Sequence, residues 1–147
     1  MEKLVLRKIE KQMIDDCVGL FIDTFTKEPW NDVYESSEQV VNFFLNHMNN
    51  NYFLGYAAEL DGKVVALSVG MKKPWIQGLE YYIDEFCVSF SMQGRGIGSW
   101  FIKAIENDIN EQGMNGMILN TEKGTAAQSF YEKNGFRVLG DLIVLGK

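Results

Sequence analysis

The apolar residues in the first third of the chain follow the spacing of amphipathic helices. A short apolar run, Leu4 to Leu6, predicts a first strand. Two sets of residues spaced three, four or seven positions apart then each share one helix face: Ile14, Cys17, Val18, Phe21 and Phe25, followed by Val41, Phe44, Leu45 and Met48. Pro29 separates the two sets, and Ser36 with Gln39 resembles a capping box. This region therefore predicts one strand and two helices.

The middle of the chain favours strands, because short apolar stretches lie between turn residues. Residues 52–60 and 63–70 flank Asp61-Gly62, which is a strong signal for a type I′ hairpin. Residues 79–88 predict a third strand in this region.

The last third of the chain alternates between the two spacings. An amphipathic helix is predicted by Phe101, Ile102, Ile105 and Ile109. A strand at 117–121 follows, then a short helix that Thr125 opens and Gly135 ends, and finally a strand at 136–145.

The order of these elements is β-αα-βββ-α-β-α-β, which predicts an α/β fold. Hairpins give antiparallel neighbours, whereas a helix between two strands gives a right-handed crossover. We therefore expect one domain over residues 1–147, with a mixed, mostly antiparallel β-sheet flanked by helices. A chain of 147 residues can bury enough apolar surface to fold without a disulfide or a metal.

Charge and composition exclude several classes of protein. A net charge of −6 disfavours nucleic-acid binding, which needs Lys and Arg. The charge either suits a cationic substrate or simply keeps the protein soluble. One histidine and two scattered cysteines, Cys17 and Cys87, do not form a usual zinc motif, so we expect no metal. Because the chain has neither a membrane-length apolar run nor a secretory signal pattern, we expect a cytoplasmic protein without a membrane partner. A homodimer stays open.

A glycine-rich turn, Gln93-Gly94-Arg95-Gly96-Ile97-Gly98, connects the third middle strand to the next helix. Glycines allow a tight turn, and the unpaired N–H groups at a helix start attract anions such as a diphosphate. Arg95 adds a fork-shaped donor for phosphate oxygens. The turn is not a Walker A loop, since no Gly-Lys-Ser/Thr follows, and its spacing differs from that of a dinucleotide fingerprint.

Two motifs resemble the GNAT N-acetyltransferase superfamily. Gln-x-x-Gly-x-Gly after an apolar strand is similar to its acetyl-CoA loop, and the segment from Ala127 to Phe136, AQSFYEKNGF, is similar to its Ala-x-x-Phe-Tyr-x-x-x-Gly-Phe motif. The resemblance implies a GNAT-like fold, acetyl-CoA as co-substrate and no metal. It also implies acetyl transfer to a primary amine of a small substrate, by direct attack in a ternary complex.

The resemblance further implies which residues bind acetyl-CoA. The expected set is Phe86, Cys87, Val88, Gln93, Gly94, Arg95, Gly96, Ile97, Gly98, Ser99, Asn120 and Tyr131. Within it, Tyr131 is the expected acid beside the CoA sulfur, because the ordinary pKa values of a phenol and an alkyl thiol are close. The alternative for Tyr131 is a core aromatic residue that packs beside Phe130.

Two neighbouring carboxylates on strand 79–88 are candidates for the base that deprotonates the amine. Asp84 is the first, because an acidic residue in an apolar strand is costly to bury without a partner such as a cationic substrate. Strand alternation places Asp84 on one face with Tyr82, Phe86 and Val88, and places Glu85 on the other face with Ile83 and Cys87. A salt bridge is the structural alternative for Asp84, and Glu85 is the base if the register shifts by one residue.

The loop after the first helix combines aromatic residues with carboxylates and is the expected acceptor site. Pro29-Trp30-Asn31-Asp32, together with Tyr82-Ile83-Asp84, resembles aminoglycoside 6′-N-acetyltransferases. The expected substrate-binding residues are Trp30, Asp32, Glu35, Tyr82 and Asp84. Trp30 could stack on a sugar or a cation, or pin the loop to the core. His47, near the end of the second helix, is expected to be solvated or to cap the helix.

Two other functions stay open. A protein or peptide N-acetyltransferase would need an open groove in place of an acidic pocket. A non-catalytic module that binds acyl-CoA would need neither Tyr131 nor Asp84.

Overall fold

A five-stranded sheet forms the centre of the computed structural model, which describes residues 3–147. In sheet order the strands are β1 (Leu4–Lys8), β2 (Phe53–Leu60), β3 (Lys63–Trp75), β4 (Gly78–Val88) and β5 (Met117–Leu119). Strands β1 to β4 are antiparallel neighbours, and β5 runs parallel to β4. The helices are α1 (Ile14–Phe25), α2 (Ser37–Met48), α3 (Ile97–Glu111) and α4 (Ala126–Lys133). The α/β class with a mixed, mostly antiparallel sheet is therefore confirmed.

The sheet separates two apolar cores. On one face, α1 and α2 pack on β3 through a cluster that includes the buried residues Phe21, Phe44 and Leu67. On the other face, α3 packs on β4 through a cluster that includes Phe101 and Tyr81, both fully buried. Truncating a buried aromatic residue of this kind to alanine typically costs ~3–5 kcal/mol. The cores thus fix α3 and β4 relative to each other, and the glycine-rich turn joins these two elements.

The hairpin between β2 and β3 has the predicted turn. Asp61 and Gly62 have φ values of 52° and 80°, as a type I′ turn requires at both central positions. Both predicted caps are also present, with the hydroxyl groups of Ser36 and Thr125 accepting hydrogen bonds from the main-chain N–H groups of Gln39 and Gln128.

Strands β4 and β5 separate after a short paired stretch. Only Tyr81–Ile83 pairs with Met117–Leu119, although β4 continues to Val88. On its β5 side, the last part of β4 therefore has no strand partner among residues 3–147. A cleft therefore opens between these two strands.

A β-bulge at Asp84 interrupts the side-chain alternation of β4, which therefore differs from the predicted alternation. Val69 pairs with Glu85 and Gly70 pairs with Ile83, so Asp84 is an extra residue opposite β3. Ile83 consequently shares the α3-side core with Phe86, whereas Cys87 lies in the core on the opposite face. The predicted grouping of Ile83 with Cys87 is wrong, because the bulge moves the residues before it to the other face.

Gly70 makes the bulge sterically possible. A Cβ atom at this position would lie 1.9 Å from the carbonyl oxygen of Tyr82, far inside van der Waals contact. Only glycine allows β3 and β4 to approach this closely beside Asp84.

The final strand predicted at 136–145 is absent. Residues 137–147 are exposed and contain neither helix nor strand, because no strand of the described chain pairs with them. None of the helices within residues 3–147 combines the length and apolarity needed to cross a bilayer.

Candidate active site

The glycine-rich turn adopts a conformation that exposes main-chain N–H groups at the start of α3. Gly94 and Gly96 have φ values of 81° and 79°, in the left-handed region that disfavours other residues. Gly96 is the N-cap of α3, and no side chain caps the helix there. The first turn of α3 contains no acidic residue. These N–H groups and the positive end of the helix dipole therefore form a site for an anionic group.

Gly98 is needed for the packing of α4 against α3, and not for the conformation of the turn. A Cβ atom at position 98 would lie 2.9 Å from two ring carbons of Phe130, which belongs to α4. The glycine therefore lets α4 approach the first turn of α3. Since Tyr131 is the next residue of α4, this close packing positions Tyr131 relative to the turn.

The polar residues of the turn differ in what they contact. The side-chain amide of Gln93 donates a hydrogen bond to the carbonyl oxygen of Val88 (3.2 Å), which ties the turn to the end of β4. Arg95 is exposed, with Nη1 3.5 Å from the sulfur of Met92. Ser99 is half-buried in the first turn of α3. Of these residues, Arg95 is the charged group that an anion at the turn could reach.

A pocket opens where β4 and β5 separate. Its volume is about 110 Å³. The lining residues come from α1 and its following loop, β4, β5 and α4: Phe25, Trp30, Ile83, Asp84, Glu85, Phe86, Leu119, Asn120, Thr121, Ala127 and Tyr131. Two carboxylates line the pocket, and no lysine or arginine does. The pocket therefore suits a positively charged group.

The two carboxylates have different environments. A carboxylate oxygen of Asp84 lies 2.9 Å from Nε2 of His47, and the side chain of Asp84 is 44% exposed. Glu85 is half-buried. Burial, together with the neighbouring charges of Asp84 and Asp32, raises the pKa of Glu85 to about 7, although His47 opposes the shift. Glu85 can therefore gain and lose a proton near neutral pH.

Tyr131 lines the pocket and lies in a cluster of aromatic rings. Its ring centroid is 6.0 Å from that of Phe86, 5.4 Å from that of Phe130 and 5.5 Å from that of Phe136. Burial, with smaller effects of Glu85 and Cys87, raises the pKa of Tyr131 well above its ordinary value. The hydroxyl group thus keeps its proton at neutral pH and can donate it. Phe86, Phe130 and Phe136 surround this ring and limit its movement.

The expected acceptor residues lie at different distances from the pocket. Trp30 lines it, 41% exposed, with its ring edge-on to Phe25 at 5.0 Å. Tyr82 lies beside it, because its hydroxyl accepts a hydrogen bond from Asn120 at 2.6 Å. Asp32 accepts a hydrogen bond from Tyr34 (3.2 Å) and is close enough to raise the pKa of Glu85.

Glu35 does not line the pocket. Its main-chain N–H donates to the side-chain oxygen of Gln39 at 2.8 Å, at the start of α2. Its side chain is exposed.

Several residues of this region were not predicted as part of the site, and Phe25, Ile83 and Leu119 are three of them that line the pocket. His47 contacts Asp84, and Thr121 and Ala127 line the pocket. A lone histidine in the last turn of a helix carries no local signal that it meets a strand more than thirty residues away. Thr121 and Ala127 lie at the ends of the predicted strand 117–121 and of the motif that begins at Ala127, but neither side chain carries a chemical signal for the site.

Comparisons with known proteins agree with this architecture. The chain matches the acetyltransferase (GNAT) family over residues 14–136. It is 37% identical over 59 residues to an uncharacterized N-acetyltransferase, YjcF of Bacillus subtilis (strain 168). That alignment spans 40% of this chain and only 41% of the relative.

Two solved structures share the fold. One is the aminoglycoside N-acetyltransferase AAC(6')-Iy in complex with CoA, with a TM-score of 0.76 and 16% identity over 100% of this chain and 96% of that one. The other is a ribosomal-protein-alanine N-acetyltransferase from Brucella melitensis biovar Abortus 2308, with a TM-score of 0.76 and 13% identity over 99% of each chain. At such identities the likeness concerns the fold alone. The family match, which extends from the start of α1 to the residues just after α4, shows that the chain belongs to the GNAT acetyltransferase family.

Proposed function

We propose that this protein transfers the acetyl group of acetyl-CoA to a primary amine of a small cationic substrate, such as an aminoglycoside. The observation that carries the proposal is the convergence of Glu85, Asp84 and Tyr131 on one pocket at the opening between β4 and β5. A carboxylate that titrates near neutrality and a phenol that keeps its proton are the base and the acid that aminolysis of a thioester needs.

The glycine-rich turn supports acetyl-CoA as the acetyl donor. The left-handed Gly94 and Gly96 hold the chain so that the first N–H groups of α3 can bind a diphosphate, and Arg95 is free to contact its oxygens. Beyond Ile83, no strand within residues 3–147 pairs with β4 on its β5 side, and alternate residues of a strand direct their N–H groups to each side. Main-chain groups of Phe86, Cys87 and Val88 are therefore suited to contact the pantetheine arm and the thioester oxygen.

The chemistry follows from the positions of the two groups. Glu85 takes one proton from the substrate ammonium, which frees the nitrogen lone pair to attack the thioester carbon. The C–N bond forms and the C–S bond breaks, while a main-chain N–H stabilises the negative charge that develops on the carbonyl oxygen. Tyr131 donates its proton to the departing sulfur and recovers one from the nitrogen. The products are the amide, the free thiol of CoA and one proton, which leaves Glu85 for solvent.

Assigning the base to Glu85 rather than to Asp84 rests on their surroundings. A general base is most effective when its pKa lies near the working pH, and burial brings the pKa of Glu85 to about 7. Asp84 is more exposed and is held by His47. We therefore propose that Asp84 attracts and orients the ammonium while Glu85 removes its proton.

The charge and size of the pocket support the proposed acceptor class. Asp84 and Glu85 line it, and Asp32 lies nearby, so several negative charges surround the position of the amine. A pocket of about 110 Å³ is smaller than a typical ligand site of ~300–1,000 Å³. The amine end of an acceptor would enter this pocket, and the rest would contact the exposed ring of Trp30 and solvent. Polyamines and aminoglycosides both carry amines that can enter in this way.

The experiment that tests the proposal measures thiol release from acetyl-CoA with a panel of amines. The panel contains aminoglycosides, linear polyamines and peptides with a free α-amine, and calorimetry records the binding of CoA separately. Acetylation of the cationic small molecules above the peptides is the expected result. Faster acetylation of peptides would replace the proposed acceptor class. CoA binding without turnover of any amine would indicate a non-catalytic module, and failure to bind CoA would overturn the transferase assignment.

A further inference from the structure

The loop after α1 contains a tyrosine that the proposed mechanism does not use. Tyr34 is half-buried, and its ring packs against the core between the sheet and helices α1 and α2, with its centroid 5.9 Å from that of Phe21. Its hydroxyl group donates a hydrogen bond to a carboxylate oxygen of Asp32 at 3.2 Å. Burial and the charge of Asp32 raise the pKa of Tyr34 well above its ordinary value, so the hydroxyl keeps its proton for this bond.

Asp32 is fixed near the pocket by its main chain. Its N–H donates a hydrogen bond to the carbonyl oxygen of Phe25 at 2.8 Å, so the loop folds back onto the last residue of α1. Phe25 is buried and lines the pocket. The side chain of Asp32, in contrast, is exposed, and the hydroxyl of Tyr34 is the donor that holds it.

Glu85 is directed toward the same region. After the bulge, Glu85 and Cys87 lie two positions apart on β4 and therefore face the same side of the sheet. Cys87 and Tyr34 both belong to the core that α1 and α2 form on that side. The negative charges of Asp32 and Glu85 act on each other and on Tyr34, which agrees with this placement.

Other ionisable groups near Glu85 come from α2, β4 and α4. They are His47, Asp84, Cys87 and Tyr131. Burial raises the pKa values of Cys87 and Tyr131 well above neutrality, so these two stay uncharged there. Asp84 is adjacent to Glu85 in the chain, so the strand fixes the distance between them. The distance from Glu85 to the charge of Asp32 depends instead on the rotamer of an exposed side chain.

We propose that Tyr34 is a positioning residue, which holds the carboxylate of Asp32 beside Glu85 and the acceptor pocket. With the hydrogen bond in place, the negative charge of Asp32 opposes the ionisation of Glu85 and attracts a second ammonium group of a polyamine acceptor. Without it, repulsion by Glu85 favours rotation of the Asp32 side chain into solvent. The part that concerns the acceptor rests on the proposed function, whereas the effect on Glu85 does not.

The titration of Glu85 in the folded protein tests this role without requiring turnover. Heteronuclear NMR of the full chain, with the glutamate carboxyl carbons labelled, gives the titration midpoint of Glu85, and the signal missing from Glu85→Gln assigns it. Tyr34→Phe should lower the midpoint by about 0.3–0.8 on the pH scale, which is the effect of removing one unit charge from a distance of ~4–10 Å in water. A merely structural role of the hydroxyl would not move the midpoint.

A double-mutant cycle shows whether the hydroxyl acts through Asp32. Asp32→Asn should lower the midpoint by at least as much as Tyr34→Phe, and Tyr34→Phe should add nothing in the Asp32→Asn background. Tyr52→Phe is the matched control, because Tyr52 is 46% exposed in the turn before β2, and it should leave the midpoint unchanged. An unchanged or raised midpoint in either single variant, or a further decrease in the double variant, would overturn the proposal. Circular dichroism checks the fold, which Tyr34→Phe should keep because the ring still packs on Phe21.

Kinetics separates this role from the proposed function. With a polyamine as acceptor, Tyr34→Phe should raise KM about 1.5–5-fold, the range expected for an exposed ion pair, and with a monoamine KM should stay the same. An equal increase for both acceptors would exclude a contact between Asp32 and a second ammonium group. If the wild type acetylates no amine, the proposed function fails, while the midpoint of Glu85 still decides the role of Tyr34. If amines are acetylated but the midpoint does not respond to Tyr34→Phe, only the role of Tyr34 fails.

Discussion

The two halves of the candidate active site are built in different ways. The anion-binding half is main chain: Gly94 and Gly96 set its conformation, and the first N–H groups of α3 provide its donors. The acceptor half consists of side chains from separate elements. Trp30 from the loop after α1, Glu85 from β4 and Tyr131 from α4 line one pocket. One half depends on about five consecutive residues, and the other depends on how separate elements pack.

This difference predicts how substitutions in each half act. A change in the turn alters backbone conformation or helix packing, so it should affect every acyl-CoA and every acceptor alike. A change in the pocket alters one charge or one proton donor, so it should affect the chemical step or one class of acceptor while CoA still binds. The predictions below test that division, beginning with the largest effect.

Glu85→Gln should lower kcat by about 10²–10⁴-fold, because it removes the proposed base. CoA affinity should stay within experimental error, since Glu85 belongs to the acceptor half. Steady-state kinetics with a saturating amine, together with calorimetry on CoA, measure both quantities. Asp84→Asn is the control: it should mainly raise the KM of a cationic acceptor. A larger loss of kcat in Asp84→Asn than in Glu85→Gln would transfer the role of base to Asp84.

The same Glu85→Gln variant should be more stable than the wild type at pH 8 but not at pH 4. The pKa of Glu85 rises from 4.5 to about 7 on folding, so ionising it above pH 7 opposes the folded state. Each pKa unit corresponds to ~1.4 kcal/mol, which gives a gain of ~1–3 kcal/mol at pH 8. Below pH 4.5 the carboxyl group carries its proton in both states, so the gain disappears. Thermal unfolding at the two pH values measures it, and equal differences at both would contradict the burial of this charge.

Tyr131→Phe should lower kcat by about 10²-fold, since the departing sulfur would lose its proton donor. The ring keeps its packing against Phe86, Phe130 and Phe136, so the fold and CoA binding should persist. Measuring turnover with acyl donors of different thiol pKa sharpens the test. A donor whose thiol is more acidic needs less help and should recover part of the loss. If the more acidic thiol raises the rate of the wild type and of Tyr131→Phe by the same factor, Tyr131 is not the acid.

Gly98→Ala should lower the free energy of unfolding by ~1–3 kcal/mol, because its Cβ would lie 2.9 Å from the ring of Phe130. Gly19→Ala is the matched control, a glycine in α1 with no atom within 4 Å of the added Cβ, and it should stabilise by ~0.5–1 kcal/mol. Denaturant unfolding compares the two. A neutral Gly98→Ala would mean that α4 is not held against the turn as described.

The same division explains what the sequence could and could not predict. The turn, the caps at Ser36 and Thr125, and the hairpin at Asp61-Gly62 depend on neighbouring residues, and the structure has all of them. The bulge at Asp84 depends on Gly70 in the facing strand, a contact that no local pattern of β4 contains.

The contact of His47 and the conformation of the C-terminal segment could not be predicted from neighbouring residues either. The contact of His47 with Asp84 joins α2 to β4, and it depends on how α2 packs over the sheet. The strand predicted at 136–145 was wrong, although its apolar residues have high β propensity. A strand also needs a neighbour to pair with, and no part of residues 3–147 provides one for this segment.

His47→Gln should have the smallest effect, a shift of the acidic limb of the pH–rate profile to higher pH by less than one unit. Positive charge on His47 lowers the pKa of Glu85, so removing it should raise that pKa further above its ordinary value. Without His47, the negative charge of Asp84 has no positive partner. That negative charge also raises the pKa of Glu85. Because Glu85 must be ionised to act as a base, kcat/KM should fall at pH 6 and remain close to the wild-type value at pH 9. A loss that is equal at both pH values would indicate that His47 supports the fold of α2 instead of the charge of Glu85.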